Sequence, residues 1–259
     1  MYVKPKKHLG QHFLKDTSVC QKMVGAVPKF DSQVSVLEVG PGTGALTQFL
    51  LKRTDFDVQV IELDEESVKY LEIHFNQLEG KIHYLDFLKT DLPLLMGKDP
   101  FLVLGNFPYN ISSQILFKVL DHKEQIPIVV GMFQKEVAER IAKPPGSKQY
   151  GIISVLLQAF YDIEYLFTVN EDVFDPPPKV KSGVIKLTRN NVKSLKCDEK
   201  LFKRVVKTAF QQRRKTIRNS IKSLLHEKVD KSLPIFSERP EQLSVNEFVE
   251  LTLLLMVTD

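Results

Sequence analysis

Five strand-length runs of apolar and β-branched residues, each followed by a helical pattern, leave this chain few possible folds. They are Val34–Val39, Val58–Leu63, Lys81–Asp86, Phe101–Gly105 and Ile126–Phe133. Their hydrophobicity is continuous rather than alternating, which fits strands buried on both faces. Strand–helix alternation predicts an α/β fold, a doubly wound and mostly parallel Rossmann-like sheet. Two further runs, Ile163–Val169 and Val180–Leu187, come in close succession after an apolar helical stretch at Gly151–Tyr161. They predict an antiparallel pair finishing the sheet, so that its last strand is antiparallel.

Between Arg189 and Glu199 the chain turns polar, which marks a linker. Beyond it the pattern is helical. Phe202, Val206, Ala209 and Phe210 share one face, as do Ile217, Ile221, Leu224 and Leu225, and no Gly or Pro intervenes before Pro234. The expected division is a catalytic α/β domain at 1–190 and a small all-helical domain at 191–259. The last helix opens on a capping-box pair, Ser244 and Glu247. Its apolar stretch, Phe248 to Val257, is too short to span a bilayer and contains Glu250. No secretory signal precedes the first motif, so a cytoplasmic protein is expected. Cys20 and Cys197 form no metal-spaced pair and the six His are scattered, which predicts free thiols and no metal site.

The residue types at the strand ends point to nucleotide chemistry. The first run leads into Glu38-Val-Gly-Pro-Gly-Thr-Gly44, whose glycines at 40, 42 and 44 allow a tight turn and close approach to a ligand. The spacing is Gly-x-Gly-x-Gly, not the dinucleotide fingerprint, and no Lys-Ser/Thr follows as in a triphosphate loop. Glu62 ends the second run about twenty residues on, where a carboxylate can bind both ribose hydroxyls of an adenosine. Asp86 ends the third and is placed to accept from an adenine amine. After the fourth comes Asn106-Phe-Pro-Tyr109. An Asn oxygen there can accept from an exocyclic amine, Pro108 stiffens the turn and Tyr109 can stack on a planar base. Alone, the same four residues also fit a strand-to-helix turn with a buried Tyr.

Charge is concentrated. The net value is only +4, yet Lys200 to Lys222 hold nine Lys/Arg and no acid. Lys207, Arg214, Arg218 and Lys222 lie at i, i+7, i+11 and i+15, on one side of a helix if it is continuous, and Arg213 and Lys215 add density. Such a stripe is either a solvated face or a surface for the phosphates of structured RNA. Lys4, Lys6 and Lys7 either extend that surface or belong to a disordered tail.

Taken together, Glu38–Gly44, Val60-Ile-Glu-Leu-Asp64 and Gly105-Asn-Phe-Pro-Tyr-Asn-Ile111 resemble the S-adenosylmethionine-dependent rRNA adenine N6,N6-dimethyltransferases. His8-Leu-Gly-Gln-His-Phe-Leu14, Met132–Arg140, Phe174-Asp-Pro-Pro-Pro-Lys-Val-Lys-Ser182 and Phe210–Ser220 extend the resemblance over most of the chain. Gln-Arg-Arg-Lys-Thr-Ile-Arg-Asn within the last segment is similar to the small-subunit branch. That branch modifies two adjacent adenosines in the 3′-terminal hairpin of small-subunit (16S) rRNA. The resemblance implies S-adenosyl-L-methionine as cofactor, with Gly40, Gly42, Glu62, Asp86 and Asn106 as its contacts and backbone near His12 and Leu14 closing over the methionine end. Asn106, Phe107, Pro108 and Tyr109 would hold the target base, with Phe174 as its second wall, and Lys207, Arg213, Arg214, Lys215, Arg218 and Lys222 would hold RNA.

Two positions depart from the usual pattern: His12 stands where many relatives carry Asn, and Phe107 where many carry Leu. Whether the His12 side chain or only its backbone touches cofactor stays open. The partner implied is small-subunit rRNA or the immature small subunit, without membrane or metal, and a monomer is expected. Competing readings are an assembly factor acting mainly by binding that subunit, a large-subunit rRNA methyltransferase and a DNA adenine methyltransferase.

Overall fold

The computed structural model describes residues 3–256. In chain order the strands are β1 (Phe13–Leu14), β2 (Val34–Val39), β3 (Phe56–Glu62), β4 (Ile82–Tyr84), β5 (Phe101–Asn106), β6 (Ile128–Gln134), β7 (Tyr161–Val169), β8 (Phe174–Asp175) and β9 (Ser182–Arg189). The α-helices are α1 (Thr17–Gly25), α2 (Thr47–Leu50), α3 (Glu65–His74), α4 (Leu92–Met96) and α5 (Ser112–Asp121) in the first half. They continue as α6 (Lys135–Ala142), α7 (Ile152–Gln158), α8 (Glu199–Gln211), α9 (Ile217–Ser220) and α10 (Val245–Met256).

The chain divides into two compact units. One joins the chain through Ala138 to Ile163–Arg189, and the other joins Glu139–Asp162 to the chain from Asn190 onward. The first is built on a seven-stranded sheet of order β4-β3-β2-β5-β6-β9-β7. Strands β2 to β6 run parallel, and β9 is antiparallel to β6. This is the expected doubly wound sheet with its antiparallel finish. Val36, Leu37, Val60, Val103, Leu104, Val129 and Val130 are fully buried, as their unbroken apolar runs require. Each contributes about 1.5–3 kcal/mol by leaving water. Because β3 and β5 flank β2 on opposite sides, the winding direction reverses there, and ligands of open α/β sheets bind at the carboxyl ends beside such a switch.

The second unit takes in Glu139–Asp162, which the sequence division placed in the α/β domain. Its reason is packing: Ile153, Val155, Leu156 and Leu157 of α7 are buried, and α7 lies against α8 and α10. The buried Tyr150 meets Phe210 edge-on with centroids 6.3 Å apart, and Phe210 stacks on Phe248 at 5.9 Å. The capping box forms as expected: Ser244 N–H donates to Glu247 Oε2 at 2.7 Å, and Glu247 N–H donates to Ser244 Oγ at 3.3 Å. Val257, the expected end of the apolar stretch, lies outside the described residues.

Two expectations need correcting. The third run is strand only over Ile82–Tyr84: its last ladder bond runs from Leu85 N–H to the Glu62 carbonyl at 3.1 Å, and Asp86 lies on the loop beyond. The basic region is not one helix. α8 stops at Gln211, a turn holds residues 212–216, and α9 starts at Ile217. Continuing α8 would carry Arg213 onto the face buried by Phe202, Val206 and Ala209, and burying that charge costs more than the lost helical bonds. The turn lets Ile217 enter the core instead. Among the described residues no helix is long and apolar enough to cross a membrane, and no group of three or more His, Cys, Asp or Glu could hold a metal.

Candidate active site

The carboxyl ends of β2, β3 and β5 open into a cavity of about 310 Å³ lined by the glycine turn, Glu62, Asp86–Leu88, Asn106–Ile111 and residues 8–14. The turn needs its glycines. Gly42 has φ +55°, in the left-handed region, and a Cβ there would sit 2.9 Å from the Phe13 ring. Its N–H donates to Glu62 Oε2 at 3.0 Å, while Leu63 and Asp64 N–H donate to Oε1 at 2.8 and 2.9 Å. A carboxylate offers about four acceptor sites, so Glu62 is fixed in place with capacity left for a ligand. Burial raises its pKa, opposed by these three N–H groups. Asp86, half-buried on the loop after β4, accepts from Leu88 N–H at 2.9 Å.

Residues 8–14 form the opposite wall, and they are tied down at both ends. Lys6 forms an ion pair with the buried Asp64, which also accepts from Gln11 Nε2 at 3.4 Å and Ser67 Oγ at 2.8 Å. Burial pushes the Asp64 pKa up, but the Lys6 and Ser67 bonds hold it below its ordinary value. Lys6 is therefore neither part of a basic surface nor in a loose tail. At the other end, β1 pairs antiparallel with β8, Leu14 opposite Phe174.

That pairing corrects one expectation. Phe174 does not line the cavity; its ring is wholly buried in the core cluster that also holds Leu14, Met23 and Val169. A ring committed to the core offers no face to a base.

Asn106, by contrast, lines the cavity. Its Nδ2 donates to the His12 carbonyl at 3.0 Å, so Oδ1 is the side-chain atom left to accept. Phe107 is among the residues lining the cavity, although only 1% of it is exposed. The Tyr109 hydroxyl pairs with the fully buried Ser182 Oγ at 2.5 Å, and its ring stacks on His12 with centroids 5.6 Å apart. The His12 ring donates from Nδ1 to the Pro176 carbonyl at 2.7 Å. His12 thus braces Tyr109 and the segment after β8, a role the sequence left open. Ser182 closes one of the recognised motifs, but nothing local in the sequence gives it a partner 73 residues away.

Glu38 opens the glycine motif at the end of β2. It is 1% exposed on the cavity wall and accepts from Thr47 Oγ1 at 2.6 Å. Burial pushes its pKa up to about 8, and burial with the neighbouring Glu38 charge pushes the Cys20 thiol up to about 12. Both cysteines are free and buried.

In the helical unit, Lys207 is exposed on α8, Arg214 and Lys215 are exposed in the turn, and Arg218 and Lys222 are exposed beyond it. Arg213 differs. It is half-buried, donates to the Lys148 carbonyl and lies 3.9 Å from Glu241. It secures the turn rather than joining the exposed basic set.

Residues 3–250 match the family model described as ribosomal RNA adenine dimethylase. The chain is 63% identical to the ribosomal RNA small subunit methyltransferase A of Parabacteroides distasonis, over 97% of this chain and 94% of that one. It is 58% identical to the protein of the same name from Cytophaga hutchinsonii, over 98% of each. Among solved structures, a dimethyladenosine transferase from Plasmodium falciparum superposes with a TM-score of 0.78 at 28% identity, covering 93% of this chain and 96% of that one. The 23S rRNA methyltransferase ErmE gives 0.66 at 25% identity, covering 93% and 99%. With the fold, the glycine turn and the Asn-Phe-Pro-Tyr corner all in place, this chain belongs to the ribosomal RNA adenine dimethylase family of S-adenosylmethionine-dependent enzymes.

Proposed function

We propose that this enzyme dimethylates N6 of two adjacent adenosines in the 3′-terminal hairpin of small-subunit rRNA. Asn106 Oδ1 and the Phe107 carbonyl would be the groups that present N6. The observation that carries the reading is the Asn106 amide on the cavity wall, whose nitrogen is taken by the His12 carbonyl so that its oxygen is left to accept. High identity to proteins named small subunit methyltransferase A favours that subunit over the large one.

The residues present fit the cofactor. The turn is open at Gly40, where a Cβ would meet nothing nearer than Pro108 Cδ at 3.9 Å, Glu62 keeps an acceptor site for a ribose hydroxyl, and Asp86 suits the adenine amine. When bound, S-adenosylmethionine supplies an electrophilic methyl group. The protein's part is orientation. The N6 lone pair is delocalised into the adenine ring and is a weak nucleophile. Hydrogen bonds from N6–H to Asn106 Oδ1 and the Phe107 carbonyl favour a pyramidal nitrogen with its lone pair free. No strong base is needed for this. After one methylation a single N–H remains, enough for one of the two acceptors, so one geometry serves both transfers.

The target base has to leave its stack to reach the cavity. Tyr109 is the ring placed to stack on it, a contact worth about 1–3 kcal/mol. Ser182 sets the orientation of that ring. Ser182→Ala and Tyr109→Phe should each lower kcat/KM for RNA about three- to tenfold, the cost of one hydrogen bond. The double variant should be no worse than either single one; additive losses would mean the hydroxyl pair is not the operating unit.

The exposed Lys207, Arg214, Lys215, Arg218 and Lys222 would hold RNA phosphates. Arg214→Glu with Arg218→Glu should weaken RNA binding at least about tenfold and flatten its salt dependence, with cofactor affinity unchanged. Equal loss of both affinities in a binding assay would count against a separate RNA surface. The enzyme would act in the cytoplasm, as a monomer, on an immature small subunit. Its test is transfer of labelled methyl from S-adenosylmethionine to unmethylated small subunits, large-subunit RNA and DNA. N6,N6-Dimethyladenosine should appear in the digested small-subunit sample alone; its absence there overturns the reading. An assembly role independent of catalysis would show as full rescue of a deletion strain by Asn106→Ala protein.

A further inference from the structure

We infer that the Phe107 ring, wedged onto the paired glycines Gly105 and Gly131, fixes the two-acceptor corner, and that Gly131 is therefore a positioning residue for methyl transfer. The inference rests on the reading of Asn106 Oδ1 and the Phe107 carbonyl as the N6 acceptors.

Gly105 on β5 and Gly131 on β6 stand directly opposite each other in the parallel ladder. The Phe107 ring occupies the space their missing side chains leave. A Cβ on Gly131 would lie 2.3 and 2.8 Å from Phe107 ring atoms, and one on Gly105 would lie 2.7 and 3.0 Å from them. The ring is 1% exposed and packs against Phe133 with centroids 5.1 Å apart at a tilt of 53°. Backbone bonding completes the clamp: Phe107 N–H donates to the Met132 carbonyl at 3.2 Å, one step past the end of β5.

Residue 107 is thus held by its N–H on one side and by its ring on the other. Pro108 follows with a fixed φ and no N–H. The carbonyl between them has little freedom to turn. Gly105, Asn106 and Phe107 are consecutive, so a shift of the ring is transmitted directly to both acceptors. This also gives the aromatic residue at 107 a physical setting: it fits because the sheet beneath it is bare at two adjacent positions. Position 105 tolerates nothing larger for a second reason, since its Cβ would meet the Val39 carbonyl oxygen at 2.6 Å. The nearest atoms a Gly131 Cβ would meet belong to the Phe107 and Phe133 rings rather than to backbone, which makes it the informative position.

The test is a compensation experiment on small-subunit methylation, with thermal unfolding and cofactor affinity measured for every variant. Gly131→Ala should lower kcat by about a hundredfold, the penalty for displacing a reacting group by about 1 Å, with cofactor affinity within about twofold of wild type. Adding Phe107→Leu, which removes the nearest of the ring atoms in collision, should restore at least about tenfold of that loss. Adding Phe133→Leu instead should not, although a Gly131 Cβ would also meet the Phe133 ring at 2.6 Å. Full kcat in Gly131→Ala overturns the inference, as does rescue by Phe133→Leu but not by Phe107→Leu. If Gly131→Ala does not fold, Phe107→Ala carries the test. It removes the wedge without adding an atom, and an unchanged kcat there overturns the inference. Asn106→Ala assayed beside these separates the two levels. A dead Asn106→Ala with no Phe107–Gly131 coupling sinks only the wedge, whereas an active Asn106→Ala sinks the acceptor reading itself.

Discussion

Asn106→Ala should lower kcat for adenine methylation by about a hundred- to a thousandfold, the range seen when a single preoriented polar group is removed from a reacting centre. The loss has two parts. Oδ1 disappears as an acceptor for N6–H, so the nitrogen is no longer biased toward a nucleophilic geometry. The His12 carbonyl also loses its donor at 3.0 Å, which loosens the wall formed by residues 8–14. Cofactor affinity should fall far less, because Glu62 and the glycine turn are untouched. Single-turnover rates at saturating cofactor, paired with calorimetric cofactor titration, separate the two effects. A variant that loses affinity and rate in equal measure would assign Asn106 to cofactor binding alone.

Glu62→Ala should show the opposite profile. With three of its roughly four acceptor sites taken by N–H groups, Glu62 keeps one for a ribose hydroxyl, a charge-assisted bond worth roughly 1.5–3 kcal/mol. Losing it should weaken cofactor binding by about ten- to a hundredfold, since 1.4 kcal/mol is about a factor of ten. The free protein should suffer too. Gly42, Leu63 and Asp64 would each lose the acceptor of a backbone N–H, and Gly42 would lose its tie across the turn. The thermal midpoint should therefore drop, by less than three lost bonds suggest, because burying the charge already costs energy. With cofactor at saturation, kcat should recover to within about tenfold of wild type, as the acceptors at 106 and 107 remain in place. Unchanged cofactor affinity would remove Glu62 from the site.

The parts of this molecule that were legible in its sequence are those written locally. A strand buried on both faces needs an unbroken apolar run, so Val34–Val39 and Phe101–Gly105 announced the centre of the sheet. The glycine turn, Glu62 and Asn106 each follow such a run, and strand order alone brings them to one crevice. Contacts between distant segments left no such trace. Phe174 sits beside a proline-rich turn that suits a pocket wall, yet it faces Leu14 across a two-residue ladder and is buried with it. Ser182 reaches Tyr109, and His12 reaches Pro176, only through the folded chain. The helical spacing of the basic residues depended on a continuous helix, and the chain breaks between Gln211 and Ile217; Lys207, Arg214, Arg218 and Lys222 are exposed without sharing one helix face.

The central claim concerns two oxygen atoms and one nitrogen, so the most direct measurement is a crystal structure with an unreactive S-adenosyl analogue and a target RNA hairpin. The adenine N6 should lie about 2.6–3.2 Å from both Asn106 Oδ1 and the Phe107 carbonyl oxygen, with Tyr109 against the face of the ring. A base entering with N6 toward Asp86, or an Asn106 turned so that Nδ2 meets the base, would contradict presentation of N6 by this corner.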